Sequence, residues 1–263
     1  MRQLFPVTDM TAPNPQVNAV DREWSLDELA DAYAYPAEVE AEAGTWLRAN
    51  MVSSLDGAGQ HEGRSQPLSS DTDMRIFGTL RGLADVVVVG AETVRQEGYR
   101  PARAREAFAA RRAAAGQGPA PVIAVVTASL DLDLGLPLFA APLVPTLILT
   151  GAGAPAERLA AAREAGVEVL LAGEGAAVDP ARAVALLAGR GLRRQLTEGG
   201  PRLLGQFTAA EVLDELCLTL SPTMTAGDAQ RIAHGPSIAL PTRFGLASLL
   251  EQDGFLFSRY RRI

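Results

Sequence analysis

Cysteine, histidine and excess basic charge are all scarce in this chain, and each scarcity removes a class of function. The 263 residues include one cysteine and two histidines. Cys217 stands inside the apolar run DELCLTL, so no disulfide framework can form and a buried structural thiol is predicted. His61 and His234 have no ligand-type neighbours and no C-x-x-C occurs, which argues against a zinc site. There is no G-x-S-x-G, hence no hydrolase elbow. There is no G-x-x-x-x-G-K-S/T, hence no P-loop. The net charge of −7 argues against a nucleic-acid partner, which needs a basic face, but leaves room for a locally positive pocket. No apolar run reaches the roughly 18 residues of a membrane helix. The opening MRQLFPVTDMTAPNPQ lacks the apolar centre of a secretory signal. A cytoplasmic protein with no membrane partner is expected.

What is present is an ordinary globular composition, 48% hydrophobic and 21% charged. Residues 1–23 carry proline, asparagine and aspartate without periodicity and read as an extended arm. SLDELADAYAY follows as a short helix capped by Ser25, with Glu28 at the capping-box position. Strands are predicted over 44–52, 85–90, 120–127, 144–150, 167–173, 213–222 and 254–263, with a short extended segment before Thr197. Helical patterns fill 70–84, the Ala/Arg stretch after Pro101, the segment closed by Gly166, and 179–190. DVVVVG is apolar throughout, as in strands covered on both faces of a parallel sheet. Strands alternating with helices indicate an α/β protein with a largely parallel sheet. The late strands have no helices between them and are expected to run antiparallel. No linker divides the chain. The expected organisation is an N-terminal arm and short helix over 1–43 and a single domain over 44–263.

Candidate chemistry sits where strands end. QLTEGGPRLLGQF (195–207) reads as strand, Gly-Gly turn and helix start, with Pro201 suited to the first helical position. Glycines there let backbone approach a ligand, and the free N–H groups of the helix start suit a phosphate. The same stretch also makes an ordinary tight turn with Glu198 favouring the helix dipole. NMVSSLDGAG (50–59) offers Asn50, Ser53, Ser54 and Asp56 to a pocket, or simply an Asp-Gly turn. VVVVGAETVRQEGYRP ends a buried strand on Gly90, followed by Thr93, Arg95 and Glu97 in what reads as a polar loop. Gly151-x-Gly153-x-x-Ala156 matches a dinucleotide fingerprint, with Glu174 at the end of the next strand. Its place after several other strands favours an ordinary Gly-rich turn.

In this order the stretches NMVSSLDG, LSSDTDMRIFGTLRGLADVVVVGAETVRQEGYRP and LTEGGPRLLGQF…VLDELCLTLSPTMTAG resemble the reductase domain of riboflavin biosynthesis, the pyrimidine reductase half of the bifunctional deaminase–reductase. GTWLRAN and LRRQLTEGGP are similar to stand-alone actinobacterial members. The resemblance runs from about Thr45 to the C-terminus and implies a dihydrofolate-reductase-like fold with helices on both faces of the sheet. It implies NADPH-dependent reduction of a 5-amino-6-(5-phosphoribosylamino)uracil-type pyrimidine to its ribitylamino form. By the resemblance, Gly90, Thr93, Gly199, Gly200, Pro201, Leu203 and Leu204 touch NADPH. Thr127, Ser129 and Thr150 lie toward its adenosine 2′-phosphate. Asn50, Ser53 and Ser54 face the substrate, and Asp56, Glu97 and Glu198 are the catalytic candidates. Arg75, Arg81, Arg95 and Arg100 are candidate phosphate anchors. A homodimer through the late strands is expected from the family.

The chain departs from that pattern in three ways. The zinc deaminase half is absent. Glu97 stands where the bifunctional enzymes have Asp, and Asn50 where many have Lys. These departures keep two alternatives open: a dihydrofolate or pteridine reductase on the same fold, and a non-catalytic NADP-binding regulatory protein.

Overall fold

Uninterrupted runs of valine and leucine build a sheet that must be covered on both faces. The computed structural model describes residues 1–5, 22–40 and 44–263. Residues 6–21 and 41–43 of the expected N-terminal segment lie outside the described residues. The strands are β1 (Arg2–Phe5), β2 (Trp46–Ser53), β3 (Val86–Gly90), β4 (Val122–Val126), β5 (Leu147–Thr150), β6 (Glu168–Leu171), β7 (Arg194–Thr197), β8 (Glu215–Leu220), β9 (Phe244–Gln252) and β10 (Phe255–Arg262). The helices are α1 (Leu26–Ala32), α2 (Ala37–Glu40), α3 (Asp71–Leu83), α4 (Ala91–Gln96), α5 (Glu106–Ala114), α6 (Pro137–Ala140), α7 (Ala156–Glu164), α8 (Pro180–Ala188) and α9 (Pro201–Ala209).

The strands form one sheet in the order β1-β9-β10-β8-β2-β7-β3-β4-β5-β6. From β8 to β6 every pairing is parallel, whereas β8–β10, β10–β9 and β9–β1 are antiparallel. The expected α/β class, with a mostly parallel sheet and antiparallel late strands, is the observed one. The period of two along β3 divides the core. Val87 and Val89 pack with Leu29, Ile76, Leu80 and Phe108 on one face. Val86 and Val88 pack with Leu187, Leu204 and Phe207 on the other. Helices therefore cover both faces, as expected.

Caps set where the helices begin. The predicted capping box of Ser25 and Glu28 opens α1. Ser70 caps α3 through the Asp73 N–H, and Asp179 caps α8. α4 and α9 instead start at Gly90 and Gly200, with no side chain on their first N–H groups.

Cys217 is buried, as predicted, and burial pushes its thiol up to about 12. It lies beside a buried ion network. Glu215, with no exposed side-chain surface, is 2.6 Å from Arg48 and 2.8 Å from Arg259. These arginines also donate to the carbonyls of Ala32, Tyr33 and Ala34, which ties the end of α1 to β2 and β10.

Three elements differ from the expectations. Residues 91–96, read as a polar loop, form α4. β9 carries no clean alternation, because its residues are half-exposed on both faces, and the sequence pattern missed it. Gly151 and Gly153 are packing glycines. A Cβ on Gly151 would collide with the backbone carbonyls of Gly175 and Ala177, and one on Gly153 would sit 3.1 Å from the Gly175 carbonyl carbon. The fingerprint reading of 151–156 gives way to a turn closed against its neighbouring loop.

Candidate active site

Parallel strands all present their carboxyl ends to one side, so the loops after β2, β3, β4, β7 and β8 gather along one sheet edge. The chain runs outward from β3 to β6, then returns to insert β7 between β2 and β3. Ligands of open α/β sheets bind in the crevice at such a reversal.

The crevice is built on glycine. The Gly90 N–H donates to the Gly199 carbonyl at 2.8 Å, which draws the β3–α4 and β7–α9 turns together. Gly199 has φ +79° and precedes a cis peptide to Gly200. A Cβ on Gly200 would lie 2.5 Å from the Thr93 Oγ1. The bare starts of α4 and α9 are thus side by side. Uncapped helix starts present N–H groups and positive potential, the arrangement that holds a phosphate. Leu203 and Leu204 are buried beneath α9 and fix its seat on the sheet.

A cavity of about 590 Å³ opens beside this turn, with Asn50, Asp73, Arg81, Thr93, Glu198 and Gly200 in its wall. Glu198 is held by three groups. Arg81 Nε and Nη2 donate to its two oxygens at 2.6 Å each, and the Tyr99 hydroxyl donates to Oε2. The Arg81 guanidinium lies between rings, 4.5 Å from the Phe77 centroid and 5.3 Å from that of Tyr99. Burial raises the Tyr99 hydroxyl well above its ordinary value, and the Glu198 charge adds to this. Tyr99 is therefore a hydrogen-bond donor, and this cluster is a fixed, ion-paired wall.

The remaining predicted residues divide between this cavity and its surroundings. Asn50 lines the cavity, and its side chain meets no partner among the described residues. Glu97 lines it too, but Oε1 accepts from the Ser65 N–H and hydroxyl, which clamps the loop after β2 onto the end of α4. Ser53, Ser54 and Asp56 are not in the cavity wall. Ser54 accepts from the Ala58 N–H, and Asp56 accepts from the Ser54 hydroxyl and the Thr225 and Ala226 amides, so they shape the turn. Those bonds, Ser54 first, hold the Asp56 carboxyl down at about 2. Thr127 and Ser129 follow β4, where Arg158 donates to the Ser129 carbonyl at 3.1 Å. Thr150 is fully buried with an unpartnered hydroxyl.

Among the candidate anchors, Arg75 is held by Trp24 and Glu23, Arg95 by Asp131 and Glu92, and Arg81 by Glu198. Arg100 does line the cavity, together with Arg103 and Arg105, and none of the three has an acidic partner among the described residues. Sequence reasoning missed Arg103, Arg105, Tyr99 and Asp73. The first three lie in PARAREAF and its approach, whose Ala/Arg composition reads as a solvated face.

Residues 45–252 match the RibD C-terminal domain family. Over 149 residues the chain is 32% identical to a 2,5-diamino-6-ribosylamino-4(3H)-pyrimidinone 5′-phosphate reductase of Aquifex aeolicus, covering 57% of this chain and 62% of that protein. It is 27% identical to the protein of the same name from Archaeoglobus fulgidus, covering 81% of this chain and 97% of the other. The crystal structure of a pyrimidine reductase-like protein from Corynebacterium diphtheriae superposes with a TM-score of 0.77 at 28% identity, covering 89% of this chain and 98% of that one.

Proposed function

The chain belongs to the RibD C-terminal domain family, and from that premise we propose that it is an NADPH-dependent reductase of a ribosylamino-pyrimidine 5′-phosphate. The observation that carries the reading is the pair of bare helix starts at Gly90 and Gly200, set against a cavity with a fixed, ion-paired wall and a basic rim. The glycine cradle fits a dinucleotide pyrophosphate, since any side chain at Gly200 would fill the space before Thr93.

NADPH, when bound, supplies a hydride to C1′ of the ribose, whose bond to the ring oxygen opens; the bond's electron pair stays on that oxygen, which takes a proton from solvent. The residues of the chain do the positioning. The α4 and α9 N–H groups hold the pyrophosphate, with Thr93 between them. Ser129, Thr127 and Arg158 flank the place of the adenosine 2′-phosphate, which favours NADPH over NADH. The Glu198 carboxylate, held in place by Arg81, accepts from a substrate donor. Arg100, Arg103 and Arg105 take the 5′-phosphate. The chain has no lysine, so phosphate recognition falls to guanidinium groups. The half-exposed β9 supports a homodimer through the late strands.

The test is NADPH oxidation by the purified chain with the ribosylamino-pyrimidine phosphate, checked by recovery of the ribitylamino product; no turnover overturns the proposal. Two variants probe its parts. Gly200→Ala is expected to weaken NADPH binding at least about tenfold, measured by titration, because the Cβ must displace Thr93 or the turn. Arg103→Gln is expected to raise KM for the phosphorylated substrate roughly tenfold with kcat little changed, and to leave KM for the dephosphorylated analogue unaltered.

A further inference from the structure

One turn of α4 joins the glycine turn to the loop that follows β2. The Glu97 N–H donates to the Thr93 carbonyl at 2.9 Å, so the two residues stand one above the other on one face of the helix. That face borders the cavity. Thr93 is held against the glycine turn, where a Cβ on Gly200 would lie 2.5 Å from its Oγ1. Glu97 caps the far end of α4. Its Oε1 accepts from the Ser65 N–H at 3.0 Å and from the Ser65 hydroxyl at 2.9 Å. Four residues of helix span about 6 Å. Whatever fixes Thr93 therefore fixes the acceptor that holds Ser65.

The loop has few other holds. Gly59, Gln60, Gly63, Ser65 and Gln66 line the cavity, so the loop is a wall of it. The Gly59 N–H donates to the Gln230 carbonyl at one end, and Leu68 is buried at the other. His61, Glu62, Gly63 and Arg64 between them are exposed, and the His61 and Arg64 backbones bond only each other. Among the described residues, positions 60–67 reach the rest of the chain by hydrogen bonds only through Ser65 and Glu97. An exposed segment with so few bonds opens locally at low free energy.

We propose that α4 couples the two ligands. Cofactor seated on the Gly199–Gly200 turn fixes Thr93, and Glu97 one turn later holds Ser65, which closes the substrate wall. Glu97 is a positioning residue in this scheme. The ordering of α4 and the loop is then met once, by whichever ligand binds first. Such coupling is reciprocal, so cofactor and substrate each tighten the other. This inference rests on the proposed reductase activity and adds cooperativity to it.

The test follows amide hydrogen exchange over residues 57–68 of the purified chain by mass spectrometry, with and without NADP⁺. In the wild type, NADP⁺ is expected to slow exchange there about fivefold or more. Glu97→Ala is expected to exchange faster in the free chain and to lose the response to NADP⁺, while its NADP⁺ affinity falls by no more than about the same fivefold. By reciprocity its KM for the ribosylamino-pyrimidine phosphate rises about fivefold or more, with kcat little changed. Glu97→Gln keeps an acceptor oxygen in place and is expected to restore both the loop response and KM. Loop exchange that ignores bound NADP⁺ in the wild type overturns the coupling. Protection that persists in Glu97→Ala overturns the route through Glu97. If Glu97→Ala does not fold, Ser65→Ala, which removes one of the two bonds, is expected to show a smaller response than the wild type, and an unchanged response overturns the proposal. A chain that binds no NADP⁺ overturns the proposed reductase activity itself, a result distinct from bound NADP⁺ without loop protection.

Discussion

Glu198→Gln is expected to lower kcat/KM by roughly 10²–10³ while NADPH binding stays within a few-fold of wild type. The substitution keeps the shape of the side chain but removes the charge that both Arg81 nitrogens and the Tyr99 hydroxyl converge on. The glutamine amide turns a donor toward either Arg81 or Tyr99, both of which are donors here. Arg81 is then released from its place between Phe77 and Tyr99, and the wall against which the substrate is held shifts. Arg81→Lys is a milder version, because an ammonium cannot make the paired contact. The measurement is steady-state kinetics alongside a cofactor titration. Activity within about threefold of wild type would remove Glu198 from the reacting site.

The second large effect is on stability. Glu215→Ala is expected to destabilise the fold by about 3–5 kcal/mol, since it leaves Arg48 and Arg259 buried without a counter-charge. For a chain of this size that lowers Tm by about 10 °C or more. The pH dependence has a definite sign. Burial alone would raise the Glu215 carboxyl, but Arg48 and Arg259 hold it at about 2, against an ordinary 4.5. A carboxyl lowered on folding adds stability that is complete above its unfolded value and is lost as the pH falls through the folded one. Between about pH 4.5 and pH 2 the wild-type chain is therefore expected to lose stability faster than Glu215→Ala. Thermal unfolding across that range checks this. Parallel pH curves for the two proteins would show that the network adds nothing.

The parallel half of the fold was legible because its strands are apolar throughout and its turns carry glycine, proline or a capping side chain. DVVVVG, the Ser25–Glu28 box and the Gly-Gly-Pro turn each have one good local solution. β9 was not legible, because a strand half-exposed on both faces has no period of two. α4 was hidden by its polar residues and by a glycine at its cap, which is also what leaves its N–H groups open. The site was legible where it is backbone, at Gly90 and Gly199–Pro201. It was opaque where it depends on side chains meeting across the sequence. Arg81 and Glu198 are 117 positions apart, and Asp73 and Thr219 are 146 apart. No spacing rule joins such pairs. Asp56 stood out in sequence through its Asp-Gly turn, and that turn is what it serves here.

The most direct test of the central claim follows the hydrogen itself. The purified chain is given NADPH deuterated at the nicotinamide C4 and a ribosylamino-pyrimidine 5′-phosphate, and the product is examined by mass spectrometry and NMR. Hydride transfer predicts one deuterium in the product, on the ribityl carbon bonded to the amino nitrogen. NADPH that binds but leaves the substrate unlabelled and unreduced would contradict the account and leave a nucleotide-binding protein without this chemistry.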